Sequence, residues 1–235
     1  KLRMLKNGVK PRLLKGKADT GKAITLVTAD SERTFATYLG AAAELSAQAL
    51  SPTLFEGFNY LHVEGYLVQN HELLETALKM AKGKRQKISM DLASFNIVEE
   101  SRGFLSRMID RYVDIVFANE EEARALTLED PENALGEIAE MTDIAIVKTG
   151  AKGSLIQRGD QTYRISSFRT EVVDTTGAGD LYAAGFLYGL IRKMSLDRCG
   201  QIGSFMASKV IEEMGAHIHE DRWPKIDKML EAVIS

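Results

Sequence analysis

The sequence predicts an α/β fold built on a mostly parallel sheet with helices on both faces. Two observations carry that expectation. After residue 60, short apolar runs alternate with amphipathic stretches of helical length. Strands joined in this way need βαβ crossovers. The runs themselves, such as 114–118 (DIVFA) and 144–148 (IAIVK), are continuous rather than alternating. That is the pattern of strands covered from both sides. The 235 residues are 45% hydrophobic and 27% charged, a globular balance that excludes disorder of the whole chain.

Taken in order, residues 23–29 and 34–39 are β-rich and flank 30–33 (DSER). A hairpin there is either a flap over a site or an edge of the main sheet. Residues 60–67 read as a strand, and 71–82 as a helix with Leu74, Leu78 and Ala81 on one face. Strands are expected at 88–92, 114–118 and 144–148, with helices at 97–112, 119–126 and 132–141 between them. Residues 153–158 and 161–166 around Gly159–Asp160 read as an antiparallel hairpin. A β-like stretch at 171–173 precedes three helices, about 178–193, 196–213 and 222–233. Trp223 and Pro224 mark a helix start with an apolar anchor.

Lys and Arg number 30 against 33 Asp and Glu, a net charge of −3. That argues against nucleic acid as a partner. The basic run 82–87 (KGKRQK) reads as a solvated helix end. No run of 18 apolar residues suggests a membrane span. The basic N-terminus lacks the apolar core of a signal peptide. The lone Cys199 reads as a small apolar filler in a helix, and its solitude suits a reducing, cytoplasmic compartment. His217 and His219 are too isolated to suggest a zinc site, and His62 and His71 stand apart from them.

The strongest chemical feature is 174–180, DTTGAGD. Gly177, Ala178 and Gly179 leave backbone N–H groups open at a helix start, where the dipole favours anions. Asp180 falls in the first helical turn. Its carboxylate either caps the helix or accepts a proton from an attacking hydroxyl. The spacing is neither the G-x-G-x-x-G of dinucleotide enzymes nor a Walker A loop. That speaks against an oxidoreductase.

DTTGAGD and the following LYAAGFLYG resemble the C-terminal signature of the ribokinase-like (PfkB) carbohydrate and nucleoside kinases. Residues 119–122 (NEEE) resemble that family's N-x-x-E, and 147–153 (VKTGAKG) its nucleotide-binding segment. Residues 34–41, 64–66 and the NEEEA context look most like the adenosine-kinase-like bacterial sugar kinases. The resemblance implies a doubly wound α/β core over 1–19 and 41–235, with a β lid at 20–40. It implies transfer of the γ-phosphate of ATP to a hydroxymethyl group of a sugar or nucleoside. Asp180 is then the general base, with Gly177, Ala178 and Gly179 as the anion hole. Lys148, Thr149, Gly150, Gly153, Gly177, Gly179 and Ser204 fall at nucleotide-binding positions. Lys148 and Thr149 stand where many relatives carry Thr and Leu. Near Gly203 and Ser204 many relatives carry an Asn or His against the adenine, and this chain has neither.

Asn119 and Glu122 match residues that organise Mg2+ through water; by themselves they also make a helix cap. Asp174, Thr176 and Gly215 match a K+ site of some relatives, and Asp174 alone could simply fix the turn. The resemblance further implies a homodimer through the lid. The family's opening strand with its substrate-binding Asp, and its G-G segment, have no counterpart here. The chain therefore enters the usual domain roughly 80–100 residues in. Two activities are open: a kinase, or a relative that holds nucleotide without turnover.

Overall fold

The structure is a computed structural model that describes residues 2–27 and 33–234. They form two compact units, Lys1–Ser51 and Pro52–Ser235.

The first unit holds helix α1 (Leu2–Lys6) and strands β1 (Thr20–Val27) and β2 (Arg33–Gly40). The strands pair antiparallel, from Thr20 opposite Gly40 to Val27 opposite Arg33. They form a two-stranded sheet of their own, not an edge of the larger one. Positions 28–32, which include most of the expected turn, lie outside the described residues. Gly40 ends β2 with φ 54°, and a β-carbon there would stand 2.3 Å from the Asp19 carbonyl oxygen. Glu44 closes the neighbouring loop by accepting from the Lys17 and Ala18 amides at 2.7 and 2.8 Å.

The second unit is built on six strands: β3 (Tyr60–Glu64), β4 (Lys87–Asp91), β5 (Ile115–Asn119), β6 (Ile144–Lys148), β7 (Ser154–Arg158) and β8 (Gln161–Ile165). Their spatial order follows chain order. Strands β3 to β6 are parallel, and β7 and β8 add an antiparallel hairpin. The sheet is therefore mixed. The reversal of strand order that defines a doubly wound sheet is absent among the described residues, a correction to that expectation.

Helices α2 (His71–Gly83), α3 (Phe95–Tyr112), α4 (Glu120–Thr127) and α5 (Pro131–Met141) connect the parallel strands. Right-handed crossovers between strands in monotonic order place all these connections on one face. The other face is covered by α6 (Ala178–Ile191) and α7 (Leu196–Val210). Ile115, Phe117, Ile144, Ile146 and Ile156 pack there with Tyr182, Ala183, Phe186 and Cys199. Their neighbours Val116, Ala118, Ala145 and Val147 are also fully buried. Burial on both sides explains the continuous apolar runs in the sequence. Each large side chain so buried stabilises the fold by about 1.5–3 kcal/mol. A last helix, α8 (Trp223–Ile234), packs on α7.

Caps fix the helix starts. The Asn70 side chain accepts from the Leu73 amide at 3.0 Å, and Asp130 caps α5 with Pro131 at its first position. Three expectations are corrected. The strand expected at 60–67 stops at Glu64 and gives way to a 3-10 turn, Gly65–Gln69. There Gly65 lies so near the chain after β4 that a β-carbon would stand 2.5 Å from the Leu92 carbonyl oxygen. Residues 171–173 form no strand; the Val173 amide bonds to the Ile211 carbonyl at 2.8 Å instead. Ile226, not the 37% exposed Trp223, anchors α8 in the core.

The basic run after α2 is held more firmly than a solvated end. Lys82 and Lys87 share the carboxylate of Asp114 at 2.7 and 2.9 Å. Gln86 donates to the Phe55 carbonyl at 2.7 Å. Cys199 is buried, and burial pushes its thiol pKa up to about 11. No helix among the described residues is long and apolar enough to cross a membrane.

Candidate active site

Strand register gathers polar residues at the C-terminal ends of β3 to β6, where open α/β sheets hold ligands. Glu64 pairs with Asp91, and Asn119 pairs with Lys148. In a sheet, paired residues share a face and alternate residues return to it. Asp91 lies opposite Phe117, Lys148 is two residues from Ile146, and both Phe117 and Ile146 face α6. So Glu64, Asp91, Asn119 and Lys148 crown the face on which α6 begins.

Helix α6 starts from Gly177, whose φ is 81°. A β-carbon on Gly177 would approach the Ala216 Cα to 2.9 Å, so both conformation and space demand glycine. The turn before it is tied by Asp174. One carboxylate oxygen accepts from the Thr176 amide at 2.9 Å and the Thr176 hydroxyl at 2.7 Å; the other accepts from the Gly215 amide at 2.9 Å. Asp174, Thr176 and Gly215 are thus brought together, and the turn-fixing role has its bonds. The Ala178 amide donates back to the Thr175 carbonyl at 3.2 Å, while the first-turn N–H groups at Gly179 and Asp180 have no partner within the helix by virtue of their position.

Asp180 as a residue is exposed, yet its carboxyl is partly desolvated. Desolvation raises its pKa above the usual value, and the negative charges of Glu64 and Asp91 add to the rise; Lys148 and His62 oppose it. His62 joins the network through a contact of 3.4 Å to Glu64 and a hydrogen bond of 2.9 Å to the Ser89 hydroxyl. Tyr66 donates to the Ala93 carbonyl at 3.3 Å. Burial raises its phenol pKa, followed by the charges of Glu122, Glu64, Asp180 and Asp91.

Asn119 and Glu122 form a full capping box at the start of α4. The Asn119 side chain accepts from the Glu122 amide, and the Glu122 carboxylate accepts from the Asn119 amide and side chain, each at 2.8 Å. Capping accounts for these bonds but not for the position of Glu122, which is 4% exposed. Desolvation lifts its pKa to about 7 against the pull of Lys148. A buried carboxyl beside Asp91 is well suited to a divalent cation, and two accepted bonds leave lone pairs for water-mediated contact. Among the described residues no group of three or more His, Cys, Asp or Glu gathers as direct metal ligands, so Asn119 and Glu122 would suit Mg2+ only through its water shell.

The segment after β6 turns through Gly150–Lys152. The Thr149 amide bonds to the Gly153 carbonyl at 2.8 Å. A cleft of about 490 Å3 opens beside Thr149, lined also by Glu120, Lys152, Ser154, Arg164 and Ser166. Ser204 is buried within α7 and donates to the Ser166 carbonyl at 3.0 Å. His217 and His219 sit with ring centroids 5.1 Å apart, and His219 lies 3.4 Å from Glu213.

Asp91, Glu64, His62 and Tyr66 lie at the candidate site and were given no role from the sequence. A polar residue closing an apolar run at the C-terminal end of a parallel strand was the available signal for Asp91. Apolar residues continue past Glu64 to Leu67, which hides the strand end at Glu64.

The sequence matches the pfkB family carbohydrate kinase description over residues 3–222. It is 34% identical over 163 residues to a nucleoside kinase of Methanocaldococcus jannaschii, covering 67% of this chain and 52% of that one. It is 31% identical over 160 residues to an uncharacterized sugar kinase of Archaeoglobus fulgidus, covering 68% and 63%. Among solved structures, adenosine kinase from Sinorhizobium meliloti superposes with a TM-score of 0.89 at 32% identity, covering 97% of this chain and 72% of that one. The chain spans about half to two thirds of the length of those two curated relatives. The fold is a ribokinase-like α/β fold with a mixed sheet and flanking helices. The chain belongs to the pfkB family of carbohydrate kinases.

Proposed function

We propose that this chain carries the nucleotide and transfer site of an ATP-dependent phosphotransferase acting on a hydroxymethyl group of a sugar or nucleoside. One observation carries the reading. Asp180 follows a glycine turn at a helix N-terminus, and the strand-end residues Glu64, Asp91 and Lys148 act on its carboxyl. Phosphoryl transfer asks for positioning and charge neutralisation more than covalent chemistry. Asp180 takes the proton of the attacking hydroxyl. The N–H groups around Gly177, Ala178 and Gly179 hold the phosphoryl oxygens. Thr149, Gly150, Gly153 and Ser204 border the nucleotide, and Lys148 addresses its phosphates. Asn119 and Glu122 hold Mg2+ through water, which would supply charge neutralisation on the phosphates. A K+ ion beside Asp174, Thr176 and Gly215 belongs to the same proposal. A cytoplasmic setting, where ATP is abundant, fits it.

ATP consumption measured with a panel of sugars and nucleosides tests the reading. Turnover with any of them supports it. ATP binding without turnover across the panel would move the chain to the second reading, a nucleotide-holding relative. That reading rests on the unmatched N-terminal motifs.

Gly179→Val is expected to weaken nucleotide affinity and turnover together by about tenfold. The β-carbon alone comes within 3.2 Å of the Lys148 ammonium, and the branched side chain would cover the phosphate position. Unchanged affinity in a folded variant places the anion hole elsewhere.

Glu122→Gln is expected to raise the Mg2+ concentration for half-maximal rate, because an amide holds hydrated Mg2+ less well than a carboxylate. It also has a stability signature without Mg2+. The folded pKa of about 7 exceeds the usual 4.5. The folded state therefore binds this proton more tightly than the unfolded state, and that stabilisation is lost as pH rises through 7. Between pH 5 and 8 the wild type should lose on the order of 2–3 kcal/mol relative to Glu122→Gln in urea titrations. A difference that does not change with pH returns Glu122 to an ordinary cap.

We infer that β1 and β2 mediate a homodimer. An isolated two-stranded sheet is marginal in water. Ile24 is 62% exposed and Leu26 58%. Light scattering should give a dimer for the wild type and a monomer for Ile24→Asp with Leu26→Asp. Equal masses for the two proteins refute the inference.

A further inference from the structure

Lys148 and Asp91 form an ion pair of 2.6 Å, with side chains 15% and 11% exposed. A pair this deeply set loses so much hydration that its mutual attraction does little more than compensate, so stability alone does not account for it. Its location is informative. The Lys148 ammonium lies 3.2 Å from where a β-carbon on Gly179 would stand, directly beside the first turn of α6. Its charge also acts on Glu122 and Asp180, the residues assigned to Mg2+ and to the proton.

We propose that Asp91 is a positioning residue that aims Lys148 at the terminal phosphate of a bound nucleoside triphosphate. The proposal rests on the phosphotransferase reading and goes beyond it in two respects: Asp91 receives a role, and Lys148 is assigned to one phosphate of the chain. An ammonium has three donors. One is spent on Asp91, leaving two for phosphate oxygens. The glycine-turn N–H groups and the ammonium then approach one anion from two sides. Lysine is otherwise a flexible point charge, and holding it in place before binding removes an ordering cost from the binding step. Asp91 has a second effect. Lys148 stands among Glu122 and Asp180 as well, and an untethered ammonium would be free to pair with Asp180 and occupy the base. The tether keeps the cation on the phosphate side.

A diphosphate lacks the group that Lys148 addresses, so ATP and ADP separate this role from a general one. The experiment is calorimetric titration of ATP and of ADP, with Mg2+, into the wild type, Lys148→Met, Lys148→Arg, Asp91→Asn and the Lys148→Met/Asp91→Asn double variant. The wild type should prefer ATP. Lys148→Met should lose about tenfold or more for ATP and less than about threefold for ADP. Lys148→Arg should recover part of the loss. Asp91→Asn should weaken ATP selectively. The double variant, which leaves no buried charge unpaired, should match Lys148→Met, because Asp91 acts through the lysine. Equal losses for ATP and ADP, or additive losses in the double variant, overturn the proposal while leaving the phosphotransferase reading intact. A folded wild type that binds neither nucleotide overturns both.

Discussion

Asp180→Asn is expected to lower phosphoryl transfer by on the order of 10²–10⁴ while nucleotide still binds. The substitution keeps size and shape but removes the group that accepts the hydroxyl proton. Its alternative role, a helix cap, has little support in the structure. The N-cap position belongs to Gly177, and no side-chain cap bond is made there. An acid in the first turn still interacts favourably with the helix dipole, worth typically 0.3–1 kcal/mol at about room temperature. Asparagine would therefore cost little stability, and thermal melts should show a nearly unchanged protein. The pH profile supplies a second signature. Desolvation and the charges of Glu64 and Asp91 hold the Asp180 pKa above its usual value. The base must be ionised, so the rate should fall with acid at a pH above the ordinary aspartate range. Glu64→Gln, which removes one neighbouring negative charge, should move that fall to lower pH. A turnover number for Asp180→Asn within twofold of wild type would falsify the catalytic assignment.

The two halves of this site were legible in the sequence to different degrees. The DTTGAGD turn is local: glycine freedom, a helix start and an acid lie within seven residues, so their geometry follows from spacing. The capping box of Asn119 and Glu122 is also local. The burial of Glu122 is not; it arises where α4 packs between α3 and α5 on β5, which spacing does not encode. Asp91 was invisible for the same reason. Its partner Lys148 lies 57 residues away and meets it only through strand register. The inner strands β4 to β6 were legible because burial on both faces leaves no alternation to confuse. Their ends were not. Glu64 and Gly65 looked like mid-strand residues until the close approach of the Leu92 backbone ended the strand there. The sheet order was equally out of reach, since local patterns fix crossovers but do not say on which side the next strand adds.

Gly153→Ala is expected to be the most destabilising small change in the second unit, by about 3–5 kcal/mol. Two costs combine. Gly153 has φ 102° and ψ −126°, a region that side chains rarely enter. A β-carbon there would also stand 1.8 Å from the Ile165 carbonyl oxygen, far inside any contact distance. The obstruction is backbone, not the movable end of a side chain, so relief needs β8 to shift away from the turn. That shift strains what the turn secures. The Gly153 carbonyl accepts from the Thr149 amide at 2.8 Å, and the Gly153 amide donates to the Gly150 carbonyl at 3.0 Å. Strand β7 begins at the next residue, and Ser154 there shares a hydrogen bond of 2.6 Å with the buried Tyr182 hydroxyl on α6. Disturbance at Gly153 thus reaches the helix that carries Asp180. With a domain stability of roughly 5–15 kcal/mol, the variant should unfold at a much lower urea concentration and lose nucleotide affinity in proportion to the folded fraction. Gly159→Ala is the matched control. It also has positive φ, at 54°, but nothing lies within 4 Å of its β-carbon position. It should cost only the conformational part, about 1 kcal/mol. Equal losses at the two glycines would mean that the close approach to Ile165 contributes nothing.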